Sequence, residues 1–187
     1  SIGLRAAQAA VDMAMVQQRK QEAINQLRAG IAALMKTNKI AVYSGTGTIV
    51  DRCHVSVRSE SGEPVLLETD HILIATGSVP ACPPIPGADL PGVVTSDGLL
   101  DKQDMFGHLI IIGGGVIGME FASIYSSLGH PVTVIEALDR ILPGMDKEIA
   151  QNLKMILKKR GTDIHTGARV EEILRAGDGR GLACRFV

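Results

Sequence analysis

Tryptophan is absent, and aromatic residues make up only 3% of the 187-residue chain. Any core here is therefore aliphatic, a composition that suits buried parallel α/β sheets. Cysteine is also scarce. Cys53, Cys82 and Cys184 are far apart, odd in number, and form no C-x-x-C or C-x-x-x-x-C pair and no zinc-ligand spacing. That excludes a disulfide scaffold and a cysteine-based metal site, and leaves three reduced thiols in a cytoplasmic protein as the expectation. His54 beside Cys53 is too little for a metal site or an activated nucleophile. His71, His108, His130 and His165 are scattered and suit turns or surfaces. The net charge of −1 gives no reason to invoke nucleic acid or an anionic membrane. No apolar run approaches the ~18 residues of a membrane span, and the N-terminus carries no signal-peptide pattern.

With 45% hydrophobic residues, the chain can bury a core, and its length allows one moderate domain or two small ones. Residues from about 4 to 36 read as one long helix. Ile24, Leu27, Ile31 and Leu34 form an apolar stripe, and Lys36 and Lys39 place cations at its end. Such a helix packs on a sheet or meets a partner, the former being the default expectation. Short strands follow at 40–43, 46–50, 54–58 and 65–68, the last two flanking the turn signal Glu60-Ser61-Gly62-Glu63. They suggest a small antiparallel meander. His71–Ala75 reads as a buried strand with a sharp exit at Thr76-Gly77-Ser78. Residues 79–92 hold five of the eight prolines, so this stretch is a connector, neither helix nor central strand. Val93-Val94-Thr95 reads as a short strand.

The third region alternates strand and helix. Strand 109–112, helix 115–128, strand 132–136, helix 147–160 and strand 162–166 make a βαβαβ pattern that predicts a parallel sheet. Gly129 and Gly161 stop the two helices, and 169–174 with 182–187 form a hairpin around Gly177-Asp178-Gly179. No repeat or low-complexity tract is evident.

The first turn of this unit carries the chemistry. The apolar run Leu109–Ile112 meets Gly113-Gly114-Gly115-Val116-Ile117-Gly118, a G-x-G-x-x-G, and a second apolar run ends in Glu136, 18 residues after Gly118. Strand, glycines, helix and spaced acid together are a dinucleotide-binding fingerprint. Gly113 permits the tight turn, Gly115 lets a pyrophosphate approach the backbone, and Gly118 lets the helix pack against the sheet. The helix N-terminus offers N–H groups and positive dipole to the phosphates. A carboxylate at Glu136 suits the free 2′-hydroxyl of NAD and repels the 2′-phosphate of NADP. Arg140 is placed on a solvated turn.

The order of His71–Ser78, the proline-rich joint, GGGVIGME, Val134-Ile135-Glu136 and Ile141-Leu142-Pro143-Gly144-Met145-Asp146 resembles the middle of the pyridine nucleotide–disulfide oxidoreductases. The resemblance is to the dihydrolipoamide dehydrogenase branch above all. It covers essentially the whole chain and is strongest from Asp70 to Gly161. It implies an α/β fold with two parts: residues 1–106 as an incomplete C-terminal portion of an FAD-binding domain, with a long helix, a meander and the connector 79–92, and residues 107–187 as a truncated Rossmann-type NAD-binding domain. It implies that Gly47 and Thr76-Gly77-Ser78 lie by FAD. Gly113 to Gly118 and Glu136 would hold NAD, with Val170 at the adenine. Glu120 matches a family acid near the flavin and nicotinamide rings that pairs with a lysine; otherwise it complements the dipole of the first helical turn.

The departures bear on activity. The sequence carries no second, N-terminal fingerprint, no C-x-x-x-x-C redox pair and no lysine to meet Glu120, so no catalytic residue is assigned. The expected function is therefore a fragment of an FAD-dependent, NAD-linked dihydrolipoamide dehydrogenase, inactive alone, whose parent is a homodimer. Two alternatives differ in class: a non-catalytic NAD(H)-binding module, and an assembly piece complementing a separate FAD or dimerisation segment. Mercuric- or glutathione-type reductases share the frame. A chain of this kind is expected to be aggregation-prone, best ordered from about 107 to 175.

Overall fold

The computed structural model describes residues 11–60, 62–177, 179 and 181–187. These divide into two compact units, one running Met15–Val79 and the other containing Pro80–Val187.

Helix α1 runs Met13–Thr37 and belongs to the first unit from Met15 onward. The expected start near residue 4 lies outside the described residues, and Val11 and Asp12 are not helical. The apolar stripe forms, yet none of the residues of α1 is buried, so the expected packing on a sheet is not what the helix does. Leu27 is 69% exposed and Leu34 63%. The meander is as expected. Strands β1 (Thr46–Ile49), β2 (His54–Arg58) and β3 (Val65–Glu68) form one antiparallel sheet in that order. The β1–β2 turn is held by Asp51, whose carboxylate accepts from the Cys53 N–H and meets His54 Nδ1 at 2.9 Å. Ser61, at the second turn, lies outside the described residues.

Two expected strands do not form. Residues 40–43 and 71–75 are irregular, and Leu73 is 90% exposed. An apolar run becomes a strand only where a neighbouring strand takes its N–H and C=O groups. Among the described residues these two segments have no such neighbour.

The second unit opens with prolines in irregular backbone. At the expected strand 93–95 only an isolated Pro91–Val93 bridge is present. Thr95 caps the short helix α2, Ser96–Leu100. The βαβαβ pattern is realised as β4 (Leu109–Ile112), α3 (Val116–Ser127), β5 (Val132–Glu136), α4 (Lys147–Lys159) and β6 (Asp163–Thr166). The three strands are parallel, in the order β4-β5-β6. Gly129 and Gly161, at φ 82° and 89°, end the helices in the left-handed conformation that glycine tolerates. Asp146 caps α4 by accepting from the Glu148 and Ile149 N–H groups, and Lys158 and Lys159 close its last turn.

One face of this sheet is covered by the helices. Leu109, Val132, Val134 and Ile164 pack with Met119, Ala122, Tyr125, Ile141, Leu142, Ala150 and Leu157. Leu157 and Val134 are fully buried, each a contribution of roughly 1.5–3 kcal/mol. The other face is covered by the expected hairpin, β7 (Val170–Arg175) and β8 (Leu182–Phe186). Ile135 is buried there with Ala168 and Val170, against Ile85, Ile110, Cys184 and Phe186. Burial on both faces explains why β5 reads as an almost continuous apolar run.

Candidate functional site

The site lies where β4 ends and α3 begins. Gly113 has φ 113°, a backbone that an L side chain rarely adopts, and this turns the chain out of the strand. Gly118 faces back onto that turn. A Cβ there would fall within 2.2 Å of the Gly113 carbonyl oxygen, so only glycine lets α3 sit this close to β4. Gly115 is the N-cap of α3 and a Cβ on it would meet nothing within 4 Å. Its surroundings are open space, as a cradle for a bound group requires. The first N–H groups of α3 have no acceptor inside the helix and point out of this end.

Gly114 occupies a different position. It is buried, and a Cβ on it would lie 3.0 Å from Ile141 Cγ2 and 3.1 Å from Glu136. Its N–H donates to Glu136 Oε2, and its carbonyl accepts the Leu142 N–H at 2.8 Å. Glu136, 8% exposed at the end of β5, also takes the Leu138 N–H on Oε1 at 2.7 Å. The acid that marks the fingerprint is therefore built into the turn: each of its oxygens already accepts a backbone amide.

Two cavities meet at this turn. One, of about 1090 Å³, is lined by Gly113, Gly115, Val116, Ile117 and Gly118 and by parts of the proline segment and the hairpin. The other, of about 600 Å³, is lined by Gly113, Glu136, Ala137, Arg169, Val170 and Pro83–Pro86. The smaller lies by the carboxyl ends of β4 and β5, where open α/β sheets take their ligands, and the larger runs along the whole of β4 to the same turn. The chemistry available is anion binding at the helix N-terminus and hydrogen bonding at Glu136.

The structure thus brings Gly113–Gly118, Glu136 and Val170 together. Glu120 is exposed and lines neither cavity. Of its two readings only the dipole one is corrected: the first turn of α3 contains no acid, because the helix starts at Val116 and Glu120 belongs to its second turn. Arg140 is only partly solvated. Its Nη2 donates to the Pro143 carbonyl at 2.7 Å, and its Nη1 is buried with no hydrogen-bond partner. Gly47 and Thr76–Ser78 belong to the first unit. Gly47 lies in β1 opposite Val57, and Thr76–Ser78 are exposed irregular backbone, with Gly77 at φ 74°.

Sequence reasoning missed two contributors. The proline segment reads as a mere connector, yet Pro83, Pro84 and Pro86 line a wall of the smaller cavity. Leu142 reads as part of a motif without a role, and no residue-type signal marks a leucine at φ 49°. Among the described residues no group of three or more His, Cys, Asp or Glu side chains could hold a metal ion, and no helix is long and apolar enough to cross a membrane.

Comparison with known proteins supplies the kinship. A dihydrolipoyl dehydrogenase of Bacillus subtilis is 41% identical over 178 residues, covering 90% of this chain and 37% of the relative. One from Acholeplasma laidlawii is 40% identical over 166 residues, covering 87% of this chain and 48% of the relative. The chain thus spans less than half the length of these relatives. Among solved structures, the HOCl-induced flavoprotein disulfide reductase RclA of Escherichia coli superposes with a TM-score of 0.74 at 30% identity, over 93% of this chain and 41% of that one. LpdA of Mycobacterium tuberculosis does so with a TM-score of 0.80 at 27% identity, over 97% and 41%. Residues 2–184 match the family described as pyridine nucleotide-disulphide oxidoreductase. With a glycine turn, a spaced acid and a mixed α/β architecture of the expected kind, this chain belongs to the pyridine nucleotide-disulphide oxidoreductase family.

Proposed function

We propose that residues 107–187 bind NAD(H) as a Rossmann-type domain, and that residues 1–106 contribute part of an FAD site, within a dihydrolipoamide dehydrogenase-type flavoenzyme. The observation that carries the first half is the open space over Gly115 at the N-terminus of α3, with Glu136 at the end of the neighbouring strand. The residues fit the cofactor. The α3 amides would take the pyrophosphate, Glu136 the adenosine ribose and Val170 the adenine. Each Glu136 oxygen accepts one amide in this structure. A carboxylate has about four acceptor positions, so the ribose diol can still be received. Its negative charge favours NAD over NADP.

The flavin half rests on the family resemblance of Gly47 and Thr76-Gly77-Ser78, which the first unit presents on exposed backbone. Bound there, FAD would supply the electron relay from a dithiol and NAD the hydride acceptor, held by the residues named above. The protein's own part in this is to bind, orient and exclude NADP. Turnover needs a C-x-x-x-x-C pair that this sequence does not carry, so the 187-residue chain is proposed to bind NAD(H) without catalysing dithiol oxidation. A homodimer is the proposed state of the complete enzyme.

A titration of the purified chain with NADH and NADPH tests this, combined with a visible absorption spectrum. Saturable NADH binding with weaker NADPH binding is expected, and NADPH preference contradicts the assignment of Glu136. A flavin band that bleaches on adding NADH means the chain, alone or with a retained partner, assembles a working flavin–nicotinamide pair. A colourless protein that binds NADH favours the binding module. Dihydrolipoamide oxidation by the pure chain overturns the inactive reading.

A further inference from the structure

Gly114 is fixed on both sides, and its second anchor comes from an unexpected place. The Leu142 N–H reaches the Gly114 carbonyl from a backbone at φ 49°. A left-handed conformation at a leucine costs of order 1–3 kcal/mol and persists only where surrounding structure enforces it. The enforcement is visible. Ile141 and Leu142 are 1% and 7% exposed in the main core. The Leu142 carbonyl accepts the Met145 N–H at 2.9 Å, and Arg140 ties down Pro143. Asp146 then caps α4. Residues 140–146 are thus a rigid bracket between the core and the glycine-rich turn.

We propose that Leu142 is a positioning residue for dinucleotide binding: its main-chain N–H, delivered by the left-handed backbone, holds Gly114 so that the Gly115–Ile117 amides are pre-ordered for the phosphates. The inference rests on the NAD(H) reading above. Its physical content is preorganisation. With the anchor in place the turn is ordered before the ligand arrives; without it the ordering cost falls on binding. Leu142 touches no ligand and acts through Gly114.

The test replaces Leu142 by its α-hydroxy-acid analogue in the 187-residue chain. The resulting backbone ester removes the N–H and keeps the side chain. Leu142→Gly does the reverse, keeping the N–H and removing the buried side chain. The ester is expected to weaken NADH roughly tenfold, the effect of about one hydrogen bond. Leu142→Gly is expected to lower Tm and to weaken NADH less than the ester does, because the N–H remains while the buried side chain that enforces the bracket is lost. A bond with only a structural role lowers Tm in both variants and leaves affinity unchanged in both, which overturns the inference alone. Absence of NADH binding by the unaltered chain overturns the NAD(H) reading and this inference with it. Should the ester chain fail to fold, hydrogen exchange of the unaltered chain decides. The Leu142 amide is expected to exchange more slowly when NADH is saturating, and an unchanged rate overturns the proposal.

Discussion

The Glu136 carboxylate and the Gly114 amide are joined by a hydrogen bond across 22 residues of sequence, from the end of β5 into the heart of the glycine-rich turn. The second oxygen of Glu136 takes the Leu138 N–H. A group expected to discriminate between cofactors therefore also holds the protein's own loops, and substitutions there act twice.

Glu136→Gln makes this measurable. An amide side chain has one acceptor oxygen, and its NH2 must face either the Gly114 or the Leu138 N–H. Two donors then oppose each other in a nearly buried place, a loss of about 1–3 kcal/mol. The expected outcome is a lower Tm without any ligand, weaker NADH binding, and a smaller NADH-to-NADPH preference because the charge is gone. An unchanged Tm contradicts the structural half of the argument, and an unchanged cofactor preference contradicts the ribose half.

Gly115 and Gly118 separate binding from folding. The Cβ of Gly118→Ala collides with the Gly113 carbonyl oxygen, so α3 must move off the sheet, at a cost of roughly 1–3 kcal/mol or more. Gly115→Ala meets no atom, and costs only the N-cap preference for glycine over alanine, about 1 kcal/mol or less. Its methyl group instead fills the open space proposed for the pyrophosphate. Urea denaturation is expected to single out Gly118→Ala, and NADH titration to show Gly115→Ala folded but with binding weakened more than roughly tenfold.

Two groups in the second unit set an alkaline limit to stability. Burial pushes the Tyr125 phenol and the Cys184 thiol above their ordinary values. Each is an acid that the folded state keeps neutral more strongly than the unfolded state does. The stability they allow is complete below the unfolded values and is lost as pH rises through the folded ones. Denaturation midpoints are expected to fall on the alkaline side of the ordinary thiol range, and Tyr125→Phe to flatten the upper part of that fall. Iodoacetamide labelling offers a second check, with exposed Cys82 modified before half-buried Cys184.

How much of this was legible depends on where the partner groups lie in the sequence. In the βαβαβ unit each strand's neighbour is supplied within about 30 residues, so the period of the apolar pattern and the glycine stops at 129 and 161 suffice to place every element within a residue or two. Residues 71–75 have the same apolar character as β4, but no strand among the described residues lies beside them, and pattern alone cannot reveal a missing neighbour. The turn at Gly113 and the close packing at Gly118 were readable because each follows from the absence of a Cβ. The Leu142 anchor was not, because it depends on a main-chain N–H, which every residue but proline carries. The dipole reading of Glu120 erred by one turn, and not through the helix start: counted even from 115, Glu120 is the sixth residue and lies past the first turn.

Hydrogen exchange along the chain brings these differences into one measurement. In α1 no residue is buried, and the apolar side chains of Leu27, Ile31 and Leu34 are mostly exposed. A helix without a packed face draws its stability from propensity alone, and over 25 residues that leaves it marginal. Its amides are expected to exchange through local opening, far faster than those of β5, where Val134 and Ile135 are buried from both faces of the sheet. The segment 71–79 has no ladder to protect it and is expected to exchange fastest of all the described stretches, while 107–175 is the slowest. The same exposed residues, Leu73 at 90% and Val79 at 85%, are candidates for self-association. Replacing Leu73 and Ile74 with serine is therefore expected to raise the concentration at which light scattering begins, without altering NADH binding. Protection in residues 13–60 equal to that of β5 contradicts this account, because it requires α1 to be packed against a surface that would bury its stripe.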